Sequence, residues 1–209
     1  MEIAVVGAGG RTGRLVVSQA LENKHSVTAV LRDPSKLDIE HEKLEKVRAD
    51  VLQPDTLSAP LAGKDAVVVT LGVPDRSTTT VFSEGMRNIL AAAKEGGVQR
   101  VLTMSSAGLE TKHLPFMQRV VSEFVVDRIY RNIHLDLSRM EDELEESDTS
   151  WTIVRVPMLN DGPATPDYKV AVDSHLKKAA SASRANIAHY FVHHLEDSAV
   201  YGSRVEVSN

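Results

Sequence analysis

Gly7, Gly10 and Gly13 recur every third residue directly after the apolar run Ile3-Ala4-Val5-Val6 and ahead of the helically spaced Leu15, Val16, Gln19 and Ala20. A strand that breaks into glycines and resumes as a helix makes a cradle for a pyrophosphate, because the N–H groups of the helix start point at the anion. Gly7 permits the tight turn, Gly10 lets backbone N–H groups approach the phosphates, and Gly13 lets the helix lie close on the strand. Gly9, Arg11 and Thr12 complete this candidate dinucleotide turn. Arg32 stands 19 residues beyond Gly13, where an NAD enzyme presents an acid to the ribose. A guanidinium there clamps the adenosine 2′-phosphate of NADP and stacks on adenine, and Arg11 approaches from the other side. The competing reading takes Asp33 as the ribose acid and the cofactor as NAD. Asp33 precedes Pro34, however, and suits the cap of a helical turn, so the expectation is NADP (NADPH).

The elements that position these residues alternate. Apolar, β-branched runs recur at Val27–Leu31, Ala66–Leu71, Val101–Met104 and Trp151–Val154, with a weaker one at Lys46–Ala49, separated by segments of helical spacing. That alternation predicts βαβ units: an α/β Rossmann-type doubly wound parallel sheet with helices on both faces. Val81 to Lys94 reads as a helix stopped by Gly96-Gly97. Helices are also expected over Phe116–Tyr130 and Asp136–Ser147 with a boundary near Asn132, a short strand over Tyr168–Val172, a helix over Arg184–Leu195 and a last strand at Arg204–Val207. The acidic run from Glu141 to Glu146 reads as a solvated helix face. One domain, 1–209, is predicted, with substrate-side elements mainly at 107–135 and 157–182. In such a sheet the ligand lies across the carboxyl ends of the strands. Asp50 and Val51 then flank the adenine, Leu71 and Gly72 let the ribose and pyrophosphate approach the backbone, and Arg76 in the next loop reads either as a phosphate contact or as a solvated loop arginine.

Composition narrows the function. The chain has 209 residues, 42% of them hydrophobic, and a net charge of -5, which suits one sizeable core and disfavours a nucleic-acid partner. It has no cysteine, hence no thiolate nucleophile and no disulfide framework. No apolar run approaches the ~20 residues of a membrane span, and the first strand leaves no room for a signal peptide, so a soluble, cytoplasmic protein is expected.

Beyond the glycine turn, the motifs Leu31-Arg32-Asp33-Pro34, Ala49-Asp50-Val51-Leu52, Thr70-Leu71-Gly72, Ser105-Ser106-Ala107, Trp151–Arg155 leading to Pro157, and Ser183–Ala188 span nearly the whole chain. Together they resemble the atypical short-chain dehydrogenase/reductase family, specifically its biliverdin-IXβ reductase/flavin reductase branch with the neighbouring NmrA-like NAD(P)-binding proteins. The resemblance implies hydride transfer from NADPH to a planar conjugated acceptor: a flavin, a quinone-like molecule or a linear tetrapyrrole. It places Ser106 beside the nicotinamide as the candidate catalytic residue, with Ser105 as second candidate, and it packs Pro157, Met158 and Leu159 against the nicotinamide.

The Tyr-x-x-x-Lys acid of ordinary short-chain dehydrogenases is absent. Counted back from the Trp151 strand, its two places fall near Ile133 and Leu137, and the nearest lookalike is Tyr130–His134. The biliverdin-reductase branch carries a histidine near Leu137, so the chain departs from that branch as well. Leu137 is therefore a substrate-side position without an acid, and the proton is expected from solvent. His113 is a second substrate-side candidate, in the loop after the fifth strand. Phe116, Met117 and Phe124 fit core helix spacing. His189 and His193 stand four apart with no acid to complete a metal motif, so no metal is expected. The alternative to a reductase is a non-catalytic NADP(H) sensor acting through a protein partner.

Overall fold

The computed structural model describes residues 1–111, 127–165, 167–177 and 179–209. Its organising element is an eight-stranded sheet. The strands are β1 (Glu2–Val6), β2 (Ser26–Leu31), β3 (Leu44–Arg48), β4 (Ala66–Val69), β5 (Arg100–Ser106), β6 (Ser150–Val156), β7 (Met158–Asn160), β8 (Lys169–Val172), β9 (Ser181–Ser183) and β10 (Ser203–Ser208). The order in the sheet is β3-β2-β1-β4-β5-β6-β10-β8, with β7 and β9 paired separately. Every neighbouring pair in the large sheet is parallel except β10 with β8, which run antiparallel. The chain winds outward from β1 to β3, then returns to lay β4 on the other side of β1. The ends of β1 and β4 therefore flank the switch point at which such sheets bind ligands.

The helices are α1 (Arg11–Glu22), α2 (Ser58–Leu61), α3 (Ser83–Glu95), α4 (Asp127–Glu145) and α5 (Arg184–His193). Period-two alternation along the strands serves two separate cores. Ile3 and Val5 of β1 face a layer holding Val16 and Val17 of α1 with Ile187 and Phe191 of α5. Ala4 and Val6 face the opposite layer, with Met86 and Ile89 of α3 and Leu137, Met140 and Leu144 of α4. Ile89 and Phe191 are fully buried, each worth about 2–3 kcal/mol of burial. Packing of these faces, more than helix propensity, holds the layers to the sheet.

Two local expectations are corrected. The sequence places a helix boundary near Asn132, but α4 runs unbroken through it, because Ile133, Leu137, Met140 and Leu144 extend one apolar stripe across that position. The acidic run is not wholly a solvated face: Glu141 is 3% exposed, turned inward onto Arg155. Asp136 is also buried and does the work of a remote cap, accepting hydrogen bonds from Phe82 N (2.9 Å) and Ser83 Oγ (2.5 Å) at the start of α3. The helix expected over 116–130 lies outside the described residues up to 126, as do Phe116, Met117 and Phe124. No helix among the described residues is long and apolar enough to cross a membrane.

Candidate functional site

The glycine turn closes β1 onto α1. Gly7 has φ +84°, and a Cβ there would stand 2.7 Å from the carbonyl oxygen of Thr70 at the end of β4. At Gly13 a Cβ would meet Gly7 O at 2.3 Å and Thr70 Oγ1 at 2.7 Å. The space these side chains would fill is where helix and strand touch. Thr70 holds the turn from the neighbouring strand, its hydroxyl donating to Val6 O at 3.1 Å. The N-cap of α1 is Gly10, which offers no side-chain cap, and the first turn carries no acid. The initial N–H groups of α1, including those of Arg11 and Thr12, are thus left for an external anion.

At the end of β5, two adjacent serines point to opposite sides of the strand. Ser105 Oγ donates to the buried Glu141 at 2.6 Å. Arg155 of β6 grips the same carboxylate with two bonds, 3.1 and 2.6 Å. Its remaining Nη1 donates to Glu110 at 2.9 Å, holding that carboxyl below its usual range. The Ser105 hydroxyl directs its proton into this network, while Ser105 also lines the cavity at the end of the strand. Ser106 faces the other way. Its Oγ accepts from Gly108 N at 3.1 Å and lies 3.3 Å from His134 Nε2.

Ser106 opens onto a cavity of ≈ 1040 Å³. Leu71, Phe82, Met104, Ile133, Leu137 and Val156 form much of its wall, with Pro157, Met158 and Leu159 along one rim. Met158 is 79% exposed, an adaptable apolar side chain held at a mouth rather than in a core. Both places counted back from β6, Ile133 and Leu137, lie on this cavity, and His134 stands between them on α4. From sequence, His134 is only the end of the Tyr130–His134 lookalike, set aside because an imidazole does not replace the lysine at neutral pH. The structure brings Gly108 against it: a Cβ there would come 2.9 Å from His134 Cε1, so the glycine makes room for the imidazole. Tyr130 stacks on His134 one turn earlier, with ring centroids 6.1 Å apart. Arg76 donates to its hydroxyl at 3.2 Å, its guanidinium carbon 4.7 Å from the ring centroid.

An uncapped glycine turn at the switch point is the geometry of a dinucleotide site, and residues 7–198 match the family model described as NAD(P)H-binding. The chain belongs to this NAD(P)H-binding family. It is 35% identical over 116 residues to a cinnamoyl-CoA reductase 1 of Oryza sativa subsp. japonica, covering 51% of this chain and 34% of that protein. The chain thus spans about a third of that relative's length. Among solved structures it is similar in fold to a short-chain dehydrogenase/reductase of Veillonella parvula DSM 2008 in complex with NADP. That likeness has a TM-score of 0.83 at 19% identity, over 100% of this chain and 94% of that one. ChuY, an anaerobilin reductase of Escherichia coli O157:H7, gives a TM-score of 0.78 at 19% identity, over 100% and 97%.

In this NAD(P)H-binding chain the remaining candidates separate. Asp33 is occupied: its Oδ1 accepts from Ser35 N (3.2 Å) and Ser35 Oγ (2.7 Å), capping the short turn Pro34–Lys36 and lowering its pKa. Arg32, beside it, is exposed at the end of β2. Arg11 does not turn toward Arg32. Its Nη1 donates at 3.1 Å to Asp161, which also accepts from Arg184 at 2.7 Å, so it reaches toward the β6 side of the sheet. Val51 is buried against α3, where a Cβ at Gly85 would come 2.9 Å from it. The Asp50 carboxylate accepts from Leu52 N at 3.1 Å. Gly72 has no heavy atom within 4 Å of an added Cβ, which leaves its backbone open to a ligand. His113 lies outside the described residues. His189 and His193 stack at 3.8 Å, with His189 Nδ1 bonded to Tyr168 OH, and no group suited to hold a metal occurs among the described residues.

Proposed function

We propose that the protein is an NADPH-dependent reductase that delivers hydride to a planar, conjugated small molecule. The observation that carries this reading is the large apolar cavity lined by the residues that end or follow β4, β5 and β6, with Ser106 on its wall, at the same carboxyl ends of the sheet as the glycine turn after β1. At ≈ 1040 Å³ it lies at the upper end of ordinary ligand pockets and suits a flat polycyclic acceptor beside a nicotinamide. Gly7, Gly10, Gly13 and the first turn of α1 would hold the pyrophosphate. Leu71 and Gly72 would border the ribose, and Pro157, Met158 and Leu159 would pack on the nicotinamide. Bound there, the dinucleotide supplies the hydride.

Preference for NADPH rests on Arg32. With Asp33 drawn into its own turn by Ser35, the exposed group at the end of β2 is a guanidinium, suited to a phosphate rather than to ribose hydroxyls. The similarity in fold to ChuY makes a linear tetrapyrrole one acceptor to try, beside flavins and quinones. Ser106 would orient the acceptor or the nicotinamide amide, and the site works by positioning.

The test is to mix the purified protein and NADPH with FMN, riboflavin, biliverdin or a quinone and follow the loss of NADPH absorbance. Turnover with one of these classes is expected. Tight NADPH binding with no turnover on any acceptor would refute the reductase reading and leave a dinucleotide sensor.

A further inference from the structure

Ser106 does not stand alone on the cavity wall. His134 Nε2 lies 3.3 Å from Ser106 Oγ, Gly108 clears the space the imidazole occupies, and both Ser106 and His134 line the cavity. We infer that Ser106 and His134 form a proton relay, with His134 the general acid, and that the acceptor is a conjugated carbonyl compound rather than a flavin. The inference rests on the reductase reading above.

The chemistry selects the acceptor class. When the electron-poor carbon of a conjugated carbonyl takes up hydride, its π pair moves onto the carbonyl oxygen, which becomes an enolate or phenolate. That charge develops in an apolar, partly closed cavity, where it is costly unless met by a proton or hydrogen bond. The Ser106 hydroxyl passes its proton to this oxygen, and the His134 imidazolium passes a proton to Ser106 Oγ. Water at the open mouth then returns a proton to His134. The sum is one hydride and one proton added to the acceptor. A reduced flavin spreads its charge over its own ring system and draws little benefit from such an acid.

Several charged and titratable groups among the described residues stand near the pair. Tyr130 stacks on the imidazole from the same helix, and Arg76 lies over Tyr130 from the loop after β4. Lys177, Arg184 and Glu206 line the same cavity. Glu206 is engaged by His175 at 2.7 Å and by Leu176 N at 2.8 Å, and Arg184 by Asp161.

The experiment has two arms. In the protein without dinucleotide, 4-nitrophenol, whose phenolate imitates the developing oxyanion, is titrated from about pH 5 to about pH 8, the range in which histidine changes charge. Its affinity and ionisation should be linked to one protein group that His134→Gln removes, and Ser106→Ala should weaken binding. In turnover, His134→Gln should lower kcat for quinones or enones by about 100-fold, the lower end of general-acid effects, a larger loss than with flavins, and flatten the fall of kcat with rising pH. Phenol binding and turnover that His134→Gln leaves unchanged would overturn the relay while the reductase stands. Phenol binding linked to His134 in a protein that turns over no acceptor would instead remove the reductase reading, and the acid role with it. Equal losses with flavin and carbonyl acceptors would overturn the choice of acceptor.

Discussion

Gly13→Ala places one methyl group where the structure has none to spare. The added Cβ would stand 2.3 Å from Gly7 O, 2.7 Å from Thr70 Oγ1 and 2.9 Å from Ala8 Cα. Relief to ordinary contact moves α1 about 1 Å off β1, given carbon contacts of about 3.5 Å. Two of the three obstacles are backbone atoms, so the cost belongs near the top of the overpacking range, about 3 kcal/mol. The better helix propensity of alanine returns about 1 kcal/mol. The net loss is about 2 kcal/mol, which for a domain of this size lowers Tm by about 4–8 °C. The same shift carries the first N–H groups of α1 away from the phosphate position, so NADPH should bind at least about 10-fold more weakly, or ~1.4 kcal/mol. Gly72→Ala is the control. With no atom within 4 Å of its Cβ, it should leave stability within about 0.5 kcal/mol of the parent yet weaken NADPH if the proposed ribose placement beside Gly72 holds. Thermal unfolding by circular dichroism and fluorescence titration with NADPH measure both. A Gly13→Ala protein that melts with the parent and binds NADPH equally well would refute the close-approach argument.

Three further outcomes follow from individual side chains. Arg32→Ala should weaken NADPH far more than NADH in parallel titrations, and equal losses would show that Arg32 does not read the 2′-phosphate. Arg155→Met strands the buried Glu141 carboxylate and should cost about 3–5 kcal/mol in urea unfolding; a loss under about 1 kcal/mol would mean that the Ser105 hydroxyl and Arg204, whose Nε lies 3.5 Å from the same carboxylate, suffice. Arg155 holds the Glu110 carboxyl below its ordinary 4.5, so in acid the unfolded chain binds the extra proton. The stability this contributes is present above that value and is lost as pH falls through the lower native one. Glu110→Gln should flatten that acid limb in unfolding measured across pH, and an unchanged slope would remove Glu110 as its source.

The dinucleotide turn was legible because its requirements are local. Gly7, Gly10 and Gly13 are set by one turn, and strand and helix periodicity on either side announces their context. The two serines were legible as a pair, but their division was not. That the Ser105 proton goes to Glu141 while Ser106 meets His134 depends on the register of β5, and on Glu141 and Arg155, brought in from much further along the chain. Asp33 could be read either as a ribose acid or as a cap, and it is Ser35, two residues on, that takes it.

By itself the sequence determined the alternation of strands and helices, the position of the phosphate turn and the strand ends that would meet a ligand, since each follows from periodicity or from glycine's small size over a few residues. Only the tertiary structure decided which charges are buried and which groups converge. An exposed acidic run and one containing the inward Glu141 look alike until β6 brings Arg155 beside it. His134 looks like a near miss for a missing lysine until the continuous α4 carries it to the end of β5, where Gly108 leaves room for the ring beside Ser106.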